Sequence, residues 1–242
     1  MGRSFARGGA VILGRWLPLP VAWLAGLTAT LSILGALWRS LLAVSVLVPS
    51  AVWAGEIWRL LTWAFFETEP ISLVFACLLI AWLGPDLCQS WGARRFVVAY
   101  LVSAVVAASL TSLLAFALPA VLPTAGYYAS PWAVVDALII AWATLFPGRR
   151  ILIFFVLPAE GRTLILLTLG FTALFAVFQE WQSFVPHFIA QGLMLLYLER
   201  LRFVRLGWLR LRLAAYEREL RRRSSHLRVV RRDDEQQPPR YH

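Results

Sequence analysis

"YYASPWAVVDALIIAW", residues 127–142, opens as a loop and closes as a membrane helix. Ser130-Pro131 is a standard helix start, with serine as the N-cap and proline at the first helical position, where the N–H that proline lacks would have no intrahelical partner. The run that follows is apolar except for Asp136, which falls where lipid is expected. An ionisable side chain at membrane depth is expensive and calls for a reason. The stretch therefore poses a question: whether Ser130 only caps a helix, or attacks a peptide bond.

Outward from this stretch the chain reads as a polytopic helical membrane protein. Of its 242 residues 60% are hydrophobic and only 15% charged, and its mean hydropathy is +0.70. Soluble domains of this length carry about 25% charged residues, so a globular enzyme with a water-facing surface is excluded. Apolar windows predict six spans, at 18–37, 70–87, 96–118, 130–146, 162–178 and 185–199. The second, fourth and sixth fall short of the roughly 20 residues of a full crossing, so their ends are expected to be recessed and surrounded by protein or water. The N-terminus resembles a signal peptide, with basic residues before an apolar run. That run continues past about 15 residues without a small-x-small cleavage site, so it is expected to remain as the first span. Cys77 and Cys88 are the two cysteines. Their spacing along one helix is far beyond disulfide reach, and they imply neither a disulfide framework nor a zinc site.

Arginine sets the orientation. With the N-terminus inside, the inner segments hold Arg3, Arg7 and Arg15, then Arg94 and Arg95, then Arg149, Arg150 and Arg162, then the tail, whereas the outer segments hold only Arg39 and Arg59. This positive-inside pattern predicts both termini in the cytoplasm and an even number of spans. The chain divides into a cytoplasmic N-terminus (1–17), a membrane domain (18–199) and a basic cytoplasmic tail (200–242). All 23 basic residues of the chain, whose net charge is +10, are arginine. The tail is expected to form a basic helix over Arg200–Arg223, touching anionic lipid at about 1 kcal/mol per arginine, and then a disordered polar end. It carries no nucleic-acid-binding motif. Residues 38–69, broken by Pro49, Gly55, Glu56 and Arg59, suit the outer interface plane better than a crossing, with Trp38, Trp53, Trp58 and Trp63 at headgroup level.

The membrane portion holds one histidine, His187. Ser130 opens the fourth span and His187 the sixth, and both spans run inward, so both residues lie toward the outer side. A serine needs a base to become a nucleophile, and histidine is the usual one. At 1.5 Å per residue, Ser130 stands roughly 25 Å and His187 roughly 18 Å above the inner boundary, a difference that tilt can absorb. The competing readings are a capping serine and an interfacial histidine bonded to a backbone carbonyl. Asp136, six residues after Ser130, is turned about 240° away from it around the helix and is not a third member of such a site. Gln179, Gln191, a buried water or protonation would satisfy it. A small-solute transporter built around Asp136 is disfavoured because the chain has no inverted repeat.

Three segments carry a family resemblance. "GEIWRLLTWAFF" at 55–66 resembles the first-loop signature of the rhomboid family, with Gly55, Glu56, Trp58, Arg59, Leu60 and Thr62 matching. "LGPDLCQSWGARRFVVAY" at 83–100 resembles the end of that family's second span and the loop after it, through Gly84, Gly92, Arg95, Phe96 and Tyr100. "FPGRRILIFFVLPAEGRTLILL" at 146–167 is similar to the fourth-to-fifth connection. The resemblance covers roughly residues 15–200, and the Trp-Arg segment is shared with inactive relatives such as derlins.

The resemblance implies an all-α, six-transmembrane rhomboid-like bundle in which Gly55, Glu56, Trp58 and Arg59 hold the first loop. It implies Ser130 as nucleophile and His187 as general base, with Ser72 as an oxyanion donor beside the Ser130 amide. Where the family has Gly-x-Ser-Gly this chain has Tyr128-Ala129-Ser130-Pro131, and Ser72 and Ala76 stand at its His-x-x-x-Asn pair. Cys88 replaces the acid expected shortly after Gly84. The expected activity is intramembrane serine endopeptidase, cleaving transmembrane protein substrates through a Ser-His dyad. The alternative is a catalytically inactive, derlin-like protein that binds transmembrane segments as clients. Neither requires a metal or an organic cofactor. The expected location is a bacterial inner membrane.

Overall fold

Prolines open three of the helices that build the membrane domain, at positions where no N–H is needed: Pro20 in α1 (Leu19–Leu37), Pro49 in α3 (Pro49–Trp53) and Pro70 in α5 (Pro70–Trp91). A computed structural model of the protein describes residues 9–12, 15–149, 151–153, 157–200 and 212. The other helices are α2 (Arg39–Ser45), α4 (Arg59–Thr62), α6 (Ala93–Ala117), α7 (Trp132–Leu145) and α8 (Gly161–Phe178). Residues 185–200 are also helical and are called α9. Two short antiparallel hairpins, β1–β2 (Gly9–Ile12 with Arg15–Pro18) and β3–β4 (Ile151–Ile153 with Leu157–Ala159), add to the all-α expectation. The first precedes α1 and the second lies in the connection from α7 to α8, where the chain must satisfy its own backbone groups outside the helices.

Four described helices, α1, α5, α6 and α8, are long and apolar enough to cross a membrane. The protein is therefore a multi-pass membrane protein. The second span is a correction: α5 has 22 residues and is not short. Pro85 lies inside it without ending it. The helix stops only at Gly92, whose φ of +85° is the left-handed geometry that glycine adopts without a Cβ clash. Gly92 alone joins α5 to α6, donating its N–H to the Cys88 carbonyl and accepting from the Phe96 N–H.

α7 is the central element. It has 14 residues, and every residue from Ala133 to Ala143 is buried. A helix apolar on all sides and buried on all sides needs protein rather than lipid around it, and α5, α6 and α8 all pack on α7. Small side chains permit the close approaches. A Cβ on Gly84 would meet Val21 Cγ1 at 2.6 Å where α1 crosses α5. A Cβ on Gly161 would collide with the Ala143 carbonyl oxygen at the α7–α8 contact.

The first loop is organised by its arginine. Arg59 is buried. Its Nε donates to Glu56 Oε2 at 2.6 Å, and one terminal nitrogen donates to the carbonyls of Ala43 (2.8 Å) and Val46 (2.7 Å). Trp58 Nε1 donates to the Val44 carbonyl and Thr62 Oγ1 to that of Ser45. These four consecutive carbonyls end α2 and have no intrahelical partner, so the Trp-Arg segment supplies what the helix end lacks. Gly55, with φ of +104°, makes the turn that brings Glu56 and Arg59 together. Leu47 exchanges both backbone hydrogen bonds with Tyr128, fixing the loop to the segment that leads into α7.

The chain divides into two compact units, Met1–Leu198 and Glu199–His242. The expected basic tail lies outside the described residues except for 200 and 212, as does most of the expected cytoplasmic N-terminus.

Candidate functional site

Just before the N-terminal end of α7, Ser130 sits in a chain of polar contacts. The Ser130 hydroxyl donates to Glu67 Oε2 at 3.0 Å and accepts the Trp132 N–H at 3.2 Å. The helix begins at Trp132 with Pro131 at the N-cap, one residue later than Ser-Pro predicts, and Ser130 satisfies the first N–H from just before the cap. Glu67 is itself fixed. Its own N–H donates to Ser32 Oγ, which donates on to the Phe65 carbonyl, and its Oε1 accepts the N–H groups of Thr68 and Glu69. Ser72, on α5, accepts the Trp132 indole N–H at 2.6 Å, while Ala76 is buried without a polar group to offer.

The second polar cluster lies further along α7, where side chains of α7, α8 and α9 meet. His187 Nδ1 is 2.8 Å from Asp136 Oδ2. Gln191 Nε2 donates to the same carboxylate oxygen at 3.2 Å and to Thr172 Oγ1 at 2.7 Å, and Thr172 donates to the Thr168 carbonyl. Gln191 is fully buried, and its Oε1 has no hydrogen-bond partner. The His187 ring also packs on Phe184, with centroids 5.3 Å apart.

Ser130 and His187 are thus each engaged by an acid, and by different acids. Both side chains are described, and no hydrogen bond joins them: Ser130 turns to Glu67 and His187 to Asp136. Helical spacing places Asp136 on the face of α7 turned from Ser130, and His187 lies with Asp136. Gln191 was one of the groups expected to satisfy Asp136; Gln179 makes no such bond. Among the described residues no group of three or more His, Cys, Asp or Glu side chains is placed to hold a metal ion.

Sequence reasoning passed over two acids. Glu67 follows the Trp-Arg segment and carries a signal only in the polar break "ETEP" before an apolar run. Asp86, two residues after Gly84, was overlooked in favour of Cys88. Its Oδ2 accepts from Trp142 Nε1 at 2.9 Å and from Arg149 at 2.8 Å, tying α5 to α7 and to the connection beyond it. Arg149 also lies 4.6 Å over the Phe146 ring.

No curated protein matches the chain. A family described as "Eukaryotic integral membrane protein (DUF1751)" does, over residues 22–203. A eukaryotic family gives no support to a bacterial inner membrane, and that expectation is withdrawn. The match spans all four described helices long enough to cross a membrane except the first few residues of α1, takes in α7 and α9, and includes both polar clusters; the chain belongs to this DUF1751 family of eukaryotic integral membrane proteins.

Proposed function

We propose that the protein binds transmembrane segments of other membrane proteins on a rhomboid-like bundle and does not cleave them. On this reading the helices make six crossings with both termini cytoplasmic, and the arginine-rich tail rests on anionic lipid. The observation that carries the reading is the separate engagement of the two residues a protease would pair. Ser130 gives its proton to Glu67 and its lone pair to the α7 backbone, and His187 is held by Asp136. A serine bonded in this way satisfies a helix start and is not a hydroxyl primed by imidazole. The oxyanion side points the same way. Each missing donor lowers the rate by about 10²–10³, and Ala76 supplies none. Ser72 accepts the Trp132 indole N–H, which orients its hydroxyl and leaves the O–H as the one side-chain donor at these two positions.

The test uses the purified chain and a fluorophosphonate probe, under conditions that label an active rhomboid protease. The expected result is no labelling. Intact single-span reporters should photocrosslink equally to wild type and Ser130→Ala. Labelling that disappears in Ser130→Ala overturns the proposal.

One observation favours the endopeptidase reading instead. A carboxylate on Nδ1 is how serine hydrolases orient their base, and Asp136 occupies that position on His187. His187 Nε2 has no hydrogen-bond partner among the described residues. That reading requires Ser130 to leave Glu67.

A further inference from the structure

We infer that Asp136, His187 and Gln191 form a receptor for one basic side chain, arginine before lysine, carried by a client transmembrane helix. The inference rests on the segment-binding reading and names what that site selects.

The starting point is an accounting of hydrogen-bond capacity. An ionised carboxylate has about four acceptor positions. Asp136 Oδ2 takes both bonds from His187 and Gln191, and Oδ1 takes none. Gln191 Oε1 is an unpartnered acceptor on a side chain with 0% exposure. With Nδ1 carrying the proton toward the carboxylate, neutral His187 leaves Nε2 as a third acceptor. The unfilled positions are thus all acceptors, on side chains already bonded to one another. What they lack is a donor. Buried polar atoms are satisfied in nearly every native structure, so an orphan here points to something absent from the chain itself.

Charge narrows the class. The cluster is centred on the buried acid Asp136, and none of the described arginines bonds to it. Arg59 is spent on Glu56 and two carbonyls. A guanidinium brings five donors in a planar fork, enough to meet Oδ1 and Oε1 together, whereas an ammonium is a point charge on a flexible stem.

The surroundings indicate how the cation arrives. Of the four long helices, α8 buries the smallest share of its length, 17% against 28–33% for the others. Its outward end exposes Leu174, Phe175, Val177 and Phe178. Phe175 stacks on Phe184, and Phe184 packs on His187. The way to the cluster is therefore an apolar, aromatic surface. It fits the flank of a lipid-embedded helix and opposes a hydrated free cation. A lone arginine in a single span is the residue most in need of such a receptor, because lipid offers it no partner.

The test reconstitutes the full chain in liposomes with single-span reporters of about 20 apolar residues, each with a photocrosslinker and either leucine, arginine or glutamate in the outer third. Arginine reporters should crosslink about tenfold more than leucine reporters. Asp136→Asn keeps the side-chain volume, and should bring arginine capture down to the leucine level while leaving leucine capture unchanged. Thr172→Val, which cuts the same network without altering its charge, should keep the arginine preference. Equal capture of all reporters by wild type overturns the receptor and leaves segment binding standing. Capture of none removes both. An arginine preference that survives Asp136→Asn overturns the receptor. If Asp136→Asn does not assemble, wild type decides: a glutamate reporter captured as well as the arginine one sinks the idea.

Discussion

The two polar clusters on α7 are only a few residues apart in sequence and are built on opposite terms. Around Ser130 each bond closes on a neighbour: hydroxyl to Glu67, Glu67 to the backbone of its own turn and to Ser32, the Trp132 indole to Ser72. Around Asp136 the bonds converge on one carboxylate oxygen, and the buried Gln191 Oε1 has no partner among the described residues. The first arrangement is what a helix end near the membrane surface needs, because backbone N–H groups there must be satisfied locally. The second exceeds what holding three helices together requires. A resemblance that pairs Ser130 with His187 draws one site across these two regions, whereas in the structure Ser130 bonds to Glu67 and His187 to Asp136.

The contrast breaks most visibly if the deep cluster proves no more sensitive than the outer one. His187→Leu leaves the Asp136 carboxylate with the Gln191 amide alone in a buried setting. Removing one partner of a buried pair costs about 3 kcal/mol, read as lost stability in denaturant titration of the purified protein in detergent. Arg59→Ala calibrates the scale within the same chain, since it strips the carbonyl of Ala43 and the buried one of Val46 of their donor and leaves Glu56 alone; its cost should be up to about 3 kcal/mol. Ser130→Ala should be milder, at about 1–2 kcal/mol, for one hydrogen bond to a helix-start N–H and one to a half-buried carboxylate. A Ser130→Ala loss equal to that of His187→Leu would erase the distinction between the regions.

Much of the architecture was readable because it follows from apolar run length. The six expected spans coincide with helices, four of them long and apolar enough to cross a membrane, and the largest departure in their ends has a local cause. α5 runs through Pro85 to Gly92 because helix termination here depends on a positive-φ glycine, not on where hydropathy fades. The polar partners were less readable. Ser130 and His187 stand out by residue type, yet their partners are chosen by the rotation of α7 and by a loop some sixty residues upstream. Spacing alone did show that Asp136 turns away from Ser130. It did not show that His187 follows Asp136, because the approach of α9 is set by packing among α7, α8 and α9. Glu67 and Asp86 act through tertiary contacts to Ser130, Trp142 and Arg149, for which no local motif exists.

The smallest effect sharpens the contrast most. Thr172 touches the deep cluster through one hydrogen bond from Gln191, and its own hydroxyl donates back to the Thr168 carbonyl within α8. Valine preserves its shape and removes both. Interhelical hydrogen bonds in membrane proteins average about 0.6 kcal/mol, because the separated helices find other partners, so Thr172→Val should cost no more than about 1 kcal/mol in the same titration. Gln191 then loses a neutral acceptor while keeping its bond to Asp136. If the cluster were only a clasp between α8 and its neighbours, this link would be its hinge, and its loss should approach that of His187→Leu. A small loss places the weight of the cluster on the acid and the imidazole.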